Sequence, residues 1–190
     1  MGKLVVTEFV TVDGVFEDPG GAEKFERGGW AFEFSRGEDG DKFKTDETMG
    51  AEAQLLGRGT YEEFAAAWPS REGEFADKFN TMPKYVVSTT LENPGWQNTT
   101  VIGGDDPAAE IAKLKEEIDG VILVAGSAKL LKLLLDEDLV DELRLMVFPV
   151  VLGKGKRLFR DHTAKSALEL VEVRPVGDEG VIVQVYRRKS

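Results

Sequence analysis

The chain has 190 residues, no cysteine, one histidine (His162) and a formal net charge of −11. That excludes disulfides, thiolate catalysis and cysteine or multi-histidine metal sites, so no metal centre is expected. The acid excess opposes a non-specific nucleic-acid binder, and the length suits one domain spanning residues 1–190 with a real core.

The N-terminus MGKLVVTEF has no signal-peptide pattern and no apolar run reaches about 18 residues, which predicts a cytoplasmic chain with no membrane partner. LVVTEFVTV (4–12) is rich in β-branched residues and predicts a first strand. The segment 13–30 holds five glycines and one proline and is too long for a plain turn. Such loops are functional or disordered, and its glycines would allow it to close over a ligand. A helix is expected over 42–53, then a short strand QLLG (54–57) and a helix over 60–68. Thr60 followed by Glu63 is a capping-box spacing, and Pro69 is a stop. A polar helix is expected near 72–80, strands over 84–91 and 99–102, and a helix over 106–118 capped by Asp106 with Pro107 in its first turn. VILVA (121–125) predicts a buried strand and 127–139 a helix too apolar for a surface. The segment 141–153 predicts a long strand with Pro149 at a bulge or edge. Two strands joined by a turn near 177–180 close the chain. The alternation from 53 to 150 implies parallel crossovers and the terminal strands look antiparallel. The expected fold is therefore a mixed, mainly parallel α/β sheet of about eight strands, with helices on both faces.

Three strand ends share one chemistry. LLGRGTYEEF (55–64) runs from a strand through Gly57-Arg58-Gly59 into a helix at Thr60. YVVSTT (85–90) ends in hydroxyls at Ser88 and Thr89. VILVAGSAKLL (121–131) passes from strand to helix through Gly126 and Ser127 with no spacer. Each turn on its own reads as an ordinary structural turn, with Ser127 a helix cap and Arg58 a solvated side chain. Together, at the carboxyl ends of parallel strands, they suit an anionic, nucleotide-type ligand: helix starts offer N–H donors, glycine admits close approach and arginine adds charge-assisted bonds. Neither GxGxxG after the first strand nor GxxxxGK[ST] is present.

These pieces, with VTEFVTVDGVF (6–16), KYVVSTTL (84–91) and above all VAGSAKLLKLLLDEDLVDELRLMVFPVVLGKGKRLF (124–159), resemble the dihydrofolate reductase-like superfamily. The specific likeness is to the riboflavin-biosynthesis reductase family, the C-terminal domain of the bifunctional deaminase–reductase. It covers nearly the whole chain, with 17–50 the poorest match. The resemblance implies a three-layer fold, NADPH as cofactor and a small heterocyclic substrate. The reaction it implies is 5-amino-6-(5-phosphoribosylamino)uracil reduction or a related one. It also implies cofactor contacts at Gly57, Arg58, Thr60, Ser88, Thr89, Gly126, Ser127 and Ala128, with the pyrophosphate at the last three, and a homodimer. The 141–150 strand and the Leu-rich helix are the expected dimer surfaces. Asp13 and Gly14 would border the nicotinamide. Dihydrofolate reductases use one carboxylate on the helix after the first loop, and Glu33 in GGWAFEF (28–34) lies in that neighbourhood, so Asp13 and Glu33 are the candidate catalytic residues. Trp30, Phe32 and Phe34 read as core or as a pocket for a flat ring. The zinc-dependent deaminase half needs His and Cys ligands, so these 190 residues are expected to hold at most the reductase half. Two other readings stay open: a non-catalytic nucleotide-binding or regulatory module, and a hydrolase using Ser127 or Ser88 with His162, which lacks a GxSxG elbow.

Overall fold

β-Branched and apolar runs form the strands. They are β1 (Lys3–Thr11), β2 (Ala51–Gly57), β3 (Lys84–Val87), β4 (Thr99–Ile102), β5 (Val121–Ala125), β6 (Glu142–Phe148), β7 (Leu168–Val176) and β8 (Val181–Arg188). The helices are α1 (Gly37–Met49), α2 (Arg58–Ala67), α3 (Glu74–Thr81), α4 (Pro107–Glu117) and α5 (Ala128–Asp136), with one 3-10 turn at Trp30–Glu33. The computed structural model describes residues 1–159 and 165–189. His162 lies outside the described residues. The strands follow in hydrogen-bonded order β4-β3-β2-β5-β1-β6-β8-β7, a mixed eight-stranded sheet. Among the described residues no helix is long and apolar enough to cross a membrane.

The chain divides into two compact units. The first comprises residues 1–6 and 45–141. In it β2 pairs in parallel with β3 and with β5, and β3 with β4, as the strand–helix alternation implies. Val5, Leu56, Tyr61, Phe79, Val86, Trp96 and Leu123 form its core. Asp106 caps α4 by accepting from Ala109 N–H at 3.0 Å, with Pro107 in the first turn, as expected. Asp141 closes the unit: its Oδ2 accepts from Leu4 N–H at 2.7 Å and pairs with Lys115 Nζ at 2.6 Å.

The second unit comprises residues 7–44 and 142–190. Here β8 pairs antiparallel with both β6 and β7. Trp30 packs edge-on to Phe148 at 5.4 Å between ring centres, over Met146, Val181, Val183 and Val185. Trp30 is therefore core, Phe34 is packed partly buried against it, and Phe32 is 80% exposed. The 13–30 loop is built around a buried side chain. Asp18 accepts from Glu23 N–H at 3.0 Å and Phe25 N–H at 3.1 Å, and its carbonyl accepts from Gly29 N–H at 2.8 Å.

Several boundaries depart from the sequence reading. The first helix is α1 at Gly37–Met49, not 42–53, because Ala51 already belongs to β2. The expected polar helix near 72–80 is α3, which buries Ala76, Phe79 and Asn80. The strand expected over 84–91 ends at Val87, where Ser88 Oγ accepts from Thr90 and Leu91 N–H and turns the chain. The strand expected over 141–153 ends at Phe148, before Pro149, which has no N–H for a ladder. β6 lies between β1 and β8 in the sheet, and Leu130, Leu131 and Leu134 of α5 are buried.

Lys84 is fully buried in the first unit. Its ammonium donates to the carbonyls of Asn80 at 2.6 Å, Met82 at 2.9 Å and Gln97 at 3.3 Å, and lies 4.2 Å from the Trp96 ring centre. It gathers the carbonyls at the end of α3. Desolvation lowers its pKa to about 8. A lysine whose folded pKa is depressed favours the fold most above its unfolded value, near 10.5, and least below about 8. Wild type should therefore gain stability relative to Lys84→Met as pH rises from 8 to 10.5, measured by urea unfolding of both proteins. At pH 7 the variant should lose about 1–3 kcal/mol from the abandoned carbonyls.

Candidate functional site

The carboxyl ends of β2 and β5 carry two interlocked turns. Gly57 is the extended N-cap of α2 (ψ 160°), and Arg58 and Gly59 are already helical. The capping box expected at Thr60 is not formed: the helix starts two residues earlier, with no side-chain cap. Thr60 instead lies against the second turn, where a Cβ on Gly126 would stand 2.6 Å from Thr60 Oγ1. Conversely, a Cβ on Gly57 would stand 2.1 Å from Ser127 Oγ. Each turn thus rests a hydroxyl-bearing residue on the bare backbone of the other, and only glycine permits the approach at either place. Gly126 and Ser127 both have φ of +69°, which is ordinary for glycine and strained for serine. Ser127 Oγ caps α5 by accepting from Leu130 N–H at 3.4 Å, as the sequence implied.

The consequence is electrostatic. The first N–H groups of α2 and α5 have no intrahelical acceptor, and each helix start carries partial positive charge. The reciprocal contact brings these two starts together, with Ala128 opening α5. Arg58 is half-exposed and only loosely paired with Glu62 at 3.9 Å, leaving its guanidinium able to meet an anion. Ser88 follows Val87, the register partner of Gly57, and Thr89 is exposed beyond it. So the structure assembles Gly57, Arg58, Thr60, Gly126, Ser127 and Ala128 at adjoining strand ends, with Ser88 and Thr89 just beyond the end of β3. One neighbour escaped the sequence reading. Gly103 and Gly104 follow β4, and a Cβ on Gly103 would stand 3.0 Å from the Ser88 carbonyl. The signal was legible as a Gly-Gly pair between TTVI and the Asp106 cap. These strand ends offer N–H donors, glycine backbone and one half-exposed arginine, with Glu110 the carboxylate beside Gly104, and the residues of the first two turns suit an anionic group.

Asp13 and Glu33 belong to the second unit. Asp13 accepts from Thr11 Oγ1 at 2.7 Å, Leu152 N–H at 3.1 Å and Gly153 N–H at 2.8 Å. Arg157 Nη2 approaches Oδ2 at 3.8 Å, and its other terminal nitrogen donates to the Asp13 carbonyl. Burial raises the Asp13 pKa, but the bonds from Thr11, Gly153 and Leu152 outweigh it and hold the carboxyl below the ordinary aspartate value. An aspartate kept ionised in this way accepts hydrogen bonds and does not supply a proton at neutral pH. Its observed work is to bind the turn after β1 to the 152–153 segment, a partnership the sequence reading did not find. The Gly153 and Gly155 of LGKG, both with positive φ, were its signal. Glu33 ends the 3-10 turn with its side chain in solvent. Among the described residues no group of three or more metal-ligating side chains is gathered.

Two substitutions test these arrangements. Gly57→Ala should destabilise the wild type by about 2 kcal/mol through overpacking, and less in a Ser127→Gly background, with a coupling of about 1 kcal/mol in a double-mutant cycle. Asp13→Asn should cost about 1–3 kcal/mol at pH 7, because an amide cannot accept from Thr11, Leu152 and Gly153 together. A depressed carboxylate pKa stabilises above the unfolded value, near 3.9, and that advantage fades as pH falls through the lower folded value. The gap between Asp13→Asn and wild type should therefore close under acid, read by thermal unfolding from pH 7 to pH 3.

Comparison with known proteins agrees with this architecture. The chain is 29% identical to the Bacillus subtilis (strain 168) protein YyaP, described as uncharacterized, over 97% of this chain and 94% of that one. Its fold resembles a putative riboflavin biosynthesis protein from Shewanella sp. PV-4, with a TM-score of 0.76, 20% identity and 99% of both chains covered. It also resembles the dihydrofolate reductase of Enterococcus faecalis, solved with NADP(H), with a TM-score of 0.61, 17% identity, and 99% and 97% of the two chains covered. The mixed eight-stranded sheet is thus the dihydrofolate reductase-like fold. The RibD C-terminal domain matches residues 2–182, and the chain belongs to that family.

Proposed function

We propose that this protein is an NADPH-dependent reductase of a small heterocyclic substrate. The proposed reaction is of the 5-amino-6-(5-phosphoribosylamino)uracil reductase type that its family membership suggests. The observation that carries this reading is the paired start of α2 and α5, locked together by Gly57 against Ser127 and Gly126 against Thr60. In this reading the N–H groups opening α5 at Ala128 hold the pyrophosphate. Arg58, with Ser88 and Thr89 beyond β3, meets the adenosine-side phosphates. The bound cofactor supplies the hydride. The protein's own share is to bind and orient it. Asp13, kept ionised, acts as a positioning residue for the 152–153 turn, while Glu33 remains a carboxylate open to solvent. Hydride added at the sugar C1 would break the bond from C1 to the ring oxygen, and that oxygen would take its proton from water, so the step asks for no strong protein acid in a chain whose Asp13 is held as an anion.

The experiment is titration of the full chain with NADPH and with NADH, followed by tryptophan fluorescence. NADPH should bind saturably and at least tenfold more tightly than NADH. Arg58→Ala should weaken NADPH about tenfold and NADH little. At one hundred times its dissociation constant NADPH should add about 2.7 kcal/mol of stability. Absence of binding by either nucleotide would overturn the reductase reading. Binding without NADPH oxidation in the presence of any pyrimidine, pterin or quinone acceptor would favour the non-catalytic nucleotide-binding module.

A further inference from the structure

Two elements leave the sheet side by side at the strand-end site and meet again in the core of the first unit. Gly57 and Val87 are register partners, so α2 and the segment 88–98 depart from adjoining strand ends. Arg58 and Thr60 lie on the first turn of α2, and Ser88 and Thr89 open the segment. Tyr61 follows Thr60 and is only 3% exposed. Its hydroxyl oxygen accepts from the backbone N–H of Trp96 at 3.1 Å. The ladder pair of Gly57 with Val87 and the bond of Tyr61 with Trp96 therefore close a ring. Arg58 and Thr60 lie on one arm of that ring, and Ser88 and Thr89 lie on the other.

Trp96 holds the far end of the segment. It is buried, while Glu92, Asn93, Gly95 and Gln97 around it are exposed. Its indole N–H donates to Asn80 Oδ1 at 2.9 Å, and Asn80 Nδ2 in turn donates to the carbonyl of Trp68, which ends α2, at 3.0 Å. The Trp96 ring stands 6.1 Å from that of Tyr61 and 5.8 Å from that of Phe79 between centres. So Trp96 is tied to α2 twice, once directly and once through Asn80. A buried backbone N–H outside a strand needs an acceptor, and a buried tyrosine hydroxyl needs a partner. Here each satisfies the other. Packing at this place needs only an aromatic ring, and the hydroxyl serves the bond to Trp96. Hydroxyls and a guanidinium favour a phosphate most when they are already in place, because ordering a loose segment on binding costs affinity.

We propose that Tyr61 is a positioning residue: its hydroxyl, through Trp96, holds the 88–98 segment beside α2 so that Ser88, Thr89 and Arg58 act together on the extra phosphate that distinguishes NADPH from NADH. This role rests on the NADPH-dependent reductase reading. Both nucleotides share the diphosphate, so the hydroxyl acts on the preference between them rather than on binding as such.

Tyr61→Phe keeps the ring and removes the acceptor, and Tyr85→Phe on β3 is the control. Titration calorimetry of the full chain should show Tyr61→Phe binding NADPH about fivefold more weakly than wild type and NADH within about twofold of it. Tyr85→Phe should keep the wild-type ratio of the two affinities. Hydrogen exchange without nucleotide should be about tenfold faster at the Trp96 amide in Tyr61→Phe and unchanged at the amides of β2 and β5. Trp96→Phe gives up the indole bond to Asn80 and should lower the NADPH-to-NADH affinity ratio in the same direction. Equal weakening of both nucleotides in Tyr61→Phe would make its hydroxyl merely structural and overturn the proposal. So would an unchanged ratio, or a Trp96 amide that exchanges no faster than in wild type. A wild type that prefers NADPH, with a preference that survives in Tyr61→Phe, defeats the positioning role alone. A wild type that binds neither nucleotide overturns the reductase reading and this role with it.

Discussion

Two glycine–hydroxyl contacts fix the working end of the first unit. Gly57 must lack a side chain because Ser127 occupies that space, and Gly126 must lack one because Thr60 does. Each contact brings the start of one helix up to the turn of the other. The parallel pairing of β2 with β5 is what sets those turns side by side, since parallel strands end in the same direction. From that follow the convergence of two helix starts, the positive φ at Ser127 and the local suitability for an anion on a protein whose net charge is strongly negative. A net charge describes the far field, while a ligand at contact meets dipoles and N–H groups.

In the second unit the corresponding constraint is Asp13. Its carboxylate takes hydrogen bonds from a side chain two residues before it and from two backbone amides nearly 140 residues later. These bonds explain both the depressed pKa and the conformation of the turn after β1. Further ion pairs accompany it, Glu17 with Lys156 at 2.8 Å and Glu26 with Lys154 at 2.6 Å. Together with the Asp18 network they give the glycine-rich 13–30 segment a defined path.

The elements legible in the sequence were those whose signal is local. Asp106-Pro107 marked the start of α4 to the residue, and VILVA marked β5, because a cap and an unbroken apolar run act over one turn or one strand. The Gly-Ser pair at 126–127 was legible for the same reason. Thr60 misled because a capping-box spacing states only what a side chain can do. Packing against Gly126 gave it another task, and Gly57 began the helix with no side-chain cap. The 84–91 segment misled because Ser88 accepted from its own backbone and turned the chain out of the sheet.

The sequence by itself determined the alternation of strands and helices, hence the mixed sheet with its parallel part, and which strand ends carry glycine, serine and arginine. Periodicity, caps and turn residues are short-range properties written into neighbouring positions. The tertiary structure alone decided which turns interlock, that Asp13 is held as an anion, that Lys84 is buried against carbonyls, and that β7 rather than β6 or α5 presents apolar side chains to solvent. Each of these depends on which distant segments meet. Desolvation and hydrogen-bond partners come from those meetings, and no local pattern carries them.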